Sequence, residues 1–134
     1  MMLPEALLLG LWCHFLGDYL FQSDWMAVEK TKKWLPAAVH AVTYTLPFLI
    51  VTRNPVALAA IGGTHMVIDR WRLARFVVWV KNFMGPRRTW RPWSECVATG
   101  YPADRPVWLT TWLMIIADNT LHVTINSAAI WWTR

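Results

Sequence analysis

Four long apolar segments, separated by polar connections, constrain this chain more than any other feature. They cover residues 3–21, 35–51, 56–68 and 107–132. The first and last are long enough for a membrane span of about 20 residues, the second is just adequate, and the third is short unless its helix continues beyond residue 70. Hydrophobic residues make up 56% of the chain and charged residues only 16%, a balance that favours lipid contact. The sequence therefore predicts an all-α, polytopic membrane bundle of about four transmembrane helices.

The distribution of basic residues predicts an orientation for this bundle. The first connection holds Lys30, Lys32 and Lys33, interpreted as a solvated cluster facing lipid headgroups, and the third holds eight more of the thirteen lysines and arginines. Because basic loops stay on the cytoplasmic side, both termini are expected outside. Many of the eleven tryptophans lie at segment edges, as in an aromatic belt. We therefore expect a multi-pass protein of the bacterial inner (cytoplasmic) membrane.

The domain organisation is expected to be simple. The 134 residues fit one membrane domain, 1–134, with a Trp- and Pro-rich basic loop at about 82–106 on the cytoplasmic side. The first segment is predicted to be a retained helix, because it lacks a basic start and carries His14 and Asp18. The net charge of +5 does not indicate nucleic-acid binding, since the basic residues do not lie on a polar surface.

Histidine and aspartate recur four residues apart within the apolar segments. This spacing places both side chains on one face of a helix. Ionisable groups among apolar residues are costly unless they are paired or bind a cation, so their presence indicates function. The pairs are His14 with Asp18, His65 with Asp69, and Asp118 with His122.

These residue types favour a metal site, because histidine nitrogen and carboxylate oxygen together suit zinc, manganese or iron. Zinc is the expected metal, with one centre shared by His14, His65 and His122; the number of metal ions stays open. The predicted ligands are His14, Asp18, His40, His65, Asp69, Asp118 and His122. The predicted catalytic residues are Asp18, Gln22, Asp69 and Asp118.

Several runs together resemble a known family of bacterial and phage membrane proteins. They are residues 14–30, His40, residues 64–72 and residues 117–122, which match the order H-x-x-x-D-x-x-x-Q, H, H-x-x-x-D and D-x-x-x-H. The chain resembles domain-of-unknown-function family 3307. The resemblance implies that these histidines, aspartates and Gln22 are signature positions, and it implies no reaction. A looser similarity is to inner-membrane metal-dependent hydrolases regulated with the SOS response.

Three functions remain open from the sequence. The first is a metal-dependent hydrolase acting on a lipid-like or phosphoester substrate at the cytoplasmic leaflet. The second is a non-enzymatic bacterial or phage membrane protein, in which the polar cluster is a structural metal site or a proton relay. The third is a soluble helical protein with a large oligomer interface. Expected partners are membrane lipids, a protein bound at the basic Trp-rich loop, and other copies of the chain, with no nucleic acid.

Overall fold

The computed structural model describes residues 2–133, which are mostly helical. The α-helices are α1 (Leu3–Phe15), α2 (Asp24–Glu29), α3 (Trp34–Thr45), α4 (Pro55–Trp71), α5 (Ala74–Lys81) and α6 (Val107–Trp132). A π-helical turn, Leu16–Leu20, continues α1, and a 3₁₀ turn, Leu46–Ile50, continues α3. Three further 3₁₀ turns, Asn82–Met84, Arg87–Thr89 and Trp93–Glu95, lie between α5 and α6.

Local sequence signals explain where the helices begin. Pro4 occupies the first turn of α1, where the missing N–H costs no hydrogen bond. Ser23 caps α2 by accepting a hydrogen bond from the Met26 backbone N–H. Asn54 caps α4 in the same way, since its side-chain oxygen accepts from the Val56 N–H at 2.9 Å.

No helix within residues 2–133 is both long enough and apolar enough to cross a membrane. The first two apolar segments do not form continuous α-helices, because α1 passes into the π turn and α3 into the 3₁₀ turn after 13 and 12 residues. Helix α6 has 26 residues, but polar side chains from Asp118 to Ser127 lower its hydropathy. The predictions of a polytopic membrane bundle and of a multi-pass inner-membrane location are therefore wrong.

The chain divides into two compact units. The first comprises the residues up to Trp71 and those from His122 onward, and the second comprises Arg72–Leu121. The core of the first unit contains Ala6, Cys13, Tyr44, Phe48, Ile61 and Ile130. In the second unit, Phe76 stacks on Trp93 with ring centroids 4.4 Å apart, and Val78 and Cys96 are buried. The expectation of a single domain stays a prediction.

Candidate metal centre

Four predicted ligands of the first unit converge on one point. Asp18 comes from the π turn, His40 from the middle of α3, and His65 and Asp69 from successive turns of α4. All four side chains are buried, and one ligand atom from each lies within 4.8 Å of the others. The π turn is closed by a hydrogen bond from the Phe21 N–H to the Leu16 carbonyl, and such turns are frequent at functional sites. This group of side chains could hold a divalent metal ion.

The distances between the ligand atoms of this group are compatible with four ligands of one metal ion. His40 Nε2 lies 2.9 Å from His65 Nε2 and 3.3 Å from both Asp69 Oδ2 and Asp18 Oδ1. His65 Nε2 lies 3.2 Å from Asp69 Oδ2 and 3.9 Å from Asp18 Oδ1. A zinc ion with ligands at about 2.0–2.1 Å requires edges of about 3.3–3.4 Å. The observed separations lie on both sides of that value, so the four atoms are spaced closely enough to share one small ion.

The pKa values of Asp18, His65 and Asp69 favour the deprotonated forms that a metal ion binds. Burial opposes the ionisation of Asp69, but hydrogen bonds from His122, His40 and His65 outweigh it and hold the pKa of Asp69 well below its ordinary value. Burial likewise opposes ionisation of Asp18, and the contact with His40 still lowers the pKa of that carboxyl. Burial lowers the pKa of His65 to about 4. Near neutral pH the site therefore offers two carboxylates and a neutral His65 ring.

His122 orients the His65 ring through a chain of hydrogen bonds. Its Nε2 lies 3.2 Å from Asp69 Oδ1, and its Nδ1 lies 3.2 Å from His65 Nδ1. An ionised carboxylate only accepts, so the Nε2–H of His122 donates to Asp69. The two Nδ1 atoms lie within hydrogen-bond distance, so a proton on one of them links the rings of His65 and His122. Outer groups of this kind commonly fix the tautomer of a ligating histidine.

His14 contributes to a neighbouring polar network. Its Nδ1 lies 2.9 Å from the Tyr44 hydroxyl, which also accepts a hydrogen bond from the Asn126 side-chain amide at 2.6 Å. The Tyr44 ring stacks on His65, with centroids 3.5 Å apart and planes 8° from parallel. Within the described residues, the four-atom group contains neither His14 nor His122. Tyr44 lies four residues after His40 and Asn126 four residues after His122, so each shares a helix face with a predicted ligand, although neither is among the predicted site residues.

Gln22 and Asp118 are the two other predicted site residues. The Gln22 side-chain amide donates to the Asp18 backbone carbonyl at 3.1 Å, so Gln22 holds the end of the π turn. Asp118 lies one turn before His122 on α6 and is half-buried. The common centre of His14, His65 and His122 stays a prediction.

Lys30 is a residue of the candidate site that the sequence did not identify. Its ammonium lies 2.5 Å from Asp69 Oδ2, 3.2 Å from His40 Nε2 and 3.9 Å from Asp18 Oδ1. The Lys30 side chain is only 15% exposed, whereas those of Lys32 and Lys33 are 63% and 68% exposed. The three lysines are therefore not one solvated cluster, because Lys30 turns inward against the proposed ligands.

Comparison with known proteins gives the family of this chain. No curated protein and no solved structure matches it at a significant level. The profile of a family described as proteins of unknown function, DUF3307, matches residues 6–133 and so includes every residue of the candidate centre. The chain belongs to the DUF3307 family.

Proposed function

We propose that this protein is a zinc-dependent hydrolase whose metal is held by His40, His65 and Asp69, with Asp18 as a fourth ligand or as a general base. The observation that carries the proposal is the convergence of these four buried donor atoms to within 4.8 Å of one another. Two nitrogen and two oxygen donors suit zinc, and manganese or iron are the alternatives. A zinc ion there would supply Lewis-acid activation of water and of a substrate oxygen.

The exposure of the ligands indicates where a substrate would enter. The His40 and His65 side chains are 1% and 0% exposed, whereas that of Asp18 is 10% exposed and Lys30 beside it is 15% exposed. Asp18 is also the ligand farthest from His65, so it is best placed to leave the metal and accept a proton from water. The Lys30 ammonium at this edge favours an anionic substrate, and we propose a phosphoester.

A structural metal site is the second candidate function. All four ligands come from the protein and are almost fully buried, which is the arrangement of closed structural zinc sites. In that case the metal would stabilise the packing of α3 against α4 and the π turn, and no substrate would be turned over. The hydrogen-bonded chain from His65 through His122 to Asp69 would serve a proton relay if the protein bound no metal.

Metal content and turnover separate these functions. The full chain is purified without chelator, loaded with zinc and assayed with bis(p-nitrophenyl) phosphate, beside His65→Ala and an Asp104→Asn control whose side chain is 60% exposed. We expect stoichiometric zinc and hydrolysis in the wild type and control, and loss of both in His65→Ala. Zinc without hydrolysis supports the structural role. Absence of zinc from the wild type contradicts both metal functions.

A further inference from the structure

Lys30 is placed so that its ammonium contacts the atoms proposed to bind the metal. It follows α2, which is anchored by the buried side chain of Met26. From there the ammonium donates to Asp69 Oδ2 at 2.5 Å and reaches His40 Nε2 at 3.2 Å. A charge-assisted hydrogen bond this short is among the stronger polar contacts in proteins.

A divalent ion cannot join these atoms while the ammonium remains there. His40 Nε2 and Asp69 Oδ2 would each lie about 2 Å from the metal, and both atoms are in hydrogen-bond contact with the Lys30 ammonium. Two cations sharing one carboxylate oxygen at this depth would also repel strongly. One cation therefore has to leave before the other binds.

We propose that Lys30 is an internal competitor that sets the metal affinity of this centre: its ammonium and a divalent metal ion bind the same atoms, and metal binding displaces the side chain. This inference rests on the proposed metal centre. Displacement is feasible because the side chain reaches the site from its partly exposed edge and has flexible methylene groups.

Such competition determines which cations the site accepts at a given concentration. Every metal must displace the same ammonium, so Lys30 weakens each of them by the same factor. Metals that bind nitrogen and oxygen ligands strongly, such as zinc, still enter, whereas manganese binds more weakly in the same series. A single buried charge thus raises the threshold for occupancy without being a ligand.

Direct titration of chelator-treated protein with zinc and with manganese tests the competition. The test variant is Lys30→Met, which keeps the length of the side chain. The control is Lys33→Met, because the Lys33 ammonium pairs with Glu29 at 2.7 Å and contacts none of the candidate ligands. Lys30→Met should bind both metals about 10- to 100-fold more tightly, by the same factor, because charged hydrogen bonds contribute roughly that much. Lys33→Met should match the wild type.

Each of the other outcomes of this titration overturns a different part of the proposal. Unchanged affinity in Lys30→Met overturns the competition and leaves the metal centre intact, and weaker binding overturns it by making Lys30 a ligand. No metal binding by either protein overturns the metal centre and this inference with it.

A measurement on the wild type keeps the proposal testable if Lys30→Met does not fold. Reductive methylation followed by mass spectrometry reports the reactivity of Lys30, with exposed Lys33 as the internal control. Lys30 should be protected in chelator-treated protein and become methylated once zinc is bound, while Lys33 reacts equally in both. Equal reactivity of Lys30 with and without zinc overturns the displacement.

Discussion

Replacing Gly17 with alanine should damage both the fold and the candidate centre. A Cβ at this position would lie 2.8 Å from Tyr44 Cδ2 and 2.9 Å from the Tyr44 Cα and carbonyl oxygen. The two backbone atoms cannot move unless α3 moves, and α3 also carries His40. Overpacking of this kind costs about 1–3 kcal/mol, and a rigid neighbour favours the upper part of that range. The substitution also displaces Asp18, the next residue in the π turn.

Gly63→Ala is the matched control, because it is a helical glycine whose Cβ would meet nothing within 4 Å. Alanine is favoured over glycine in an exposed helix by up to about 1 kcal/mol, so this variant should be slightly stabilised. We expect thermal unfolding, followed by circular dichroism after chelation, to show Gly17→Ala melting roughly 6–12 °C below the wild type. Zinc titration should show weaker binding for Gly17→Ala only. Wild-type stability and zinc affinity in Gly17→Ala would refute the close packing on which the argument depends.

Three further predictions concern the polar groups. His122→Ala should weaken zinc binding about 10- to 100-fold in competition titrations, because the ring that orients His65 is lost, and wild-type affinity would contradict this role. Asp69→Asn should lose metal and folded yield, unlike Asp104→Asn, whose carboxylate is solvated; equal tolerance would count against a site at Asp69. Although burial opposes its charge, contacts with two carboxylates raise the pKa of His40 above its ordinary value, so protons should compete with zinc as the pH falls. Zinc binding should therefore be weaker at about pH 6 than at about pH 8, and pH-independent affinity would contradict ligation by His40.

Helical spacing predicts part of the candidate centre. His65 and Asp69 lie four residues apart on α4, and their side chains meet at 3.2 Å as that spacing requires. An aspartate or histidine in an apolar segment was also a sound indication of burial, because Asp18 and His40 are both buried. Spacing alone could not show which helix faces meet, so it did not distinguish ligands from the residues that orient them.

The inward position of Lys30 was not predictable from its neighbours. Lysines in a polar connection are usually solvated, as Lys33 is. Lys30 differs because the short helix α2, capped by Ser23 and anchored by Met26, directs it toward two buried carboxylates. That depends on tertiary packing, which no local pattern in this connection records.

The membrane prediction is wrong because a long run of apolar residues does not by itself form one continuous α-helix. The π turn after Phe15 and the 3₁₀ turn at Leu46–Ile50, which contains Pro47, interrupt segments that read as continuous in hydropathy. Proline near a helix end is a recognised breaker, whereas the π turn has no comparable sequence signal. Because no helix among residues 2–133 qualifies as a membrane span, the orientation predicted from the basic connections has no spans to which it applies.

Zinc X-ray absorption and metal content of two histidine variants test the central claim most directly. The account predicts one zinc per chain, four nitrogen or oxygen neighbours at about 2.0–2.1 Å including two histidines, and no sulfur. His40→Ala should lose the zinc, while His14→Gln should keep it, since His14 contacts Tyr44 and is not in the four-atom group among the described residues. Loss of zinc in His14→Gln with full retention in His40→Ala would contradict this ligand set and favour the centre shared by His14, His65 and His122.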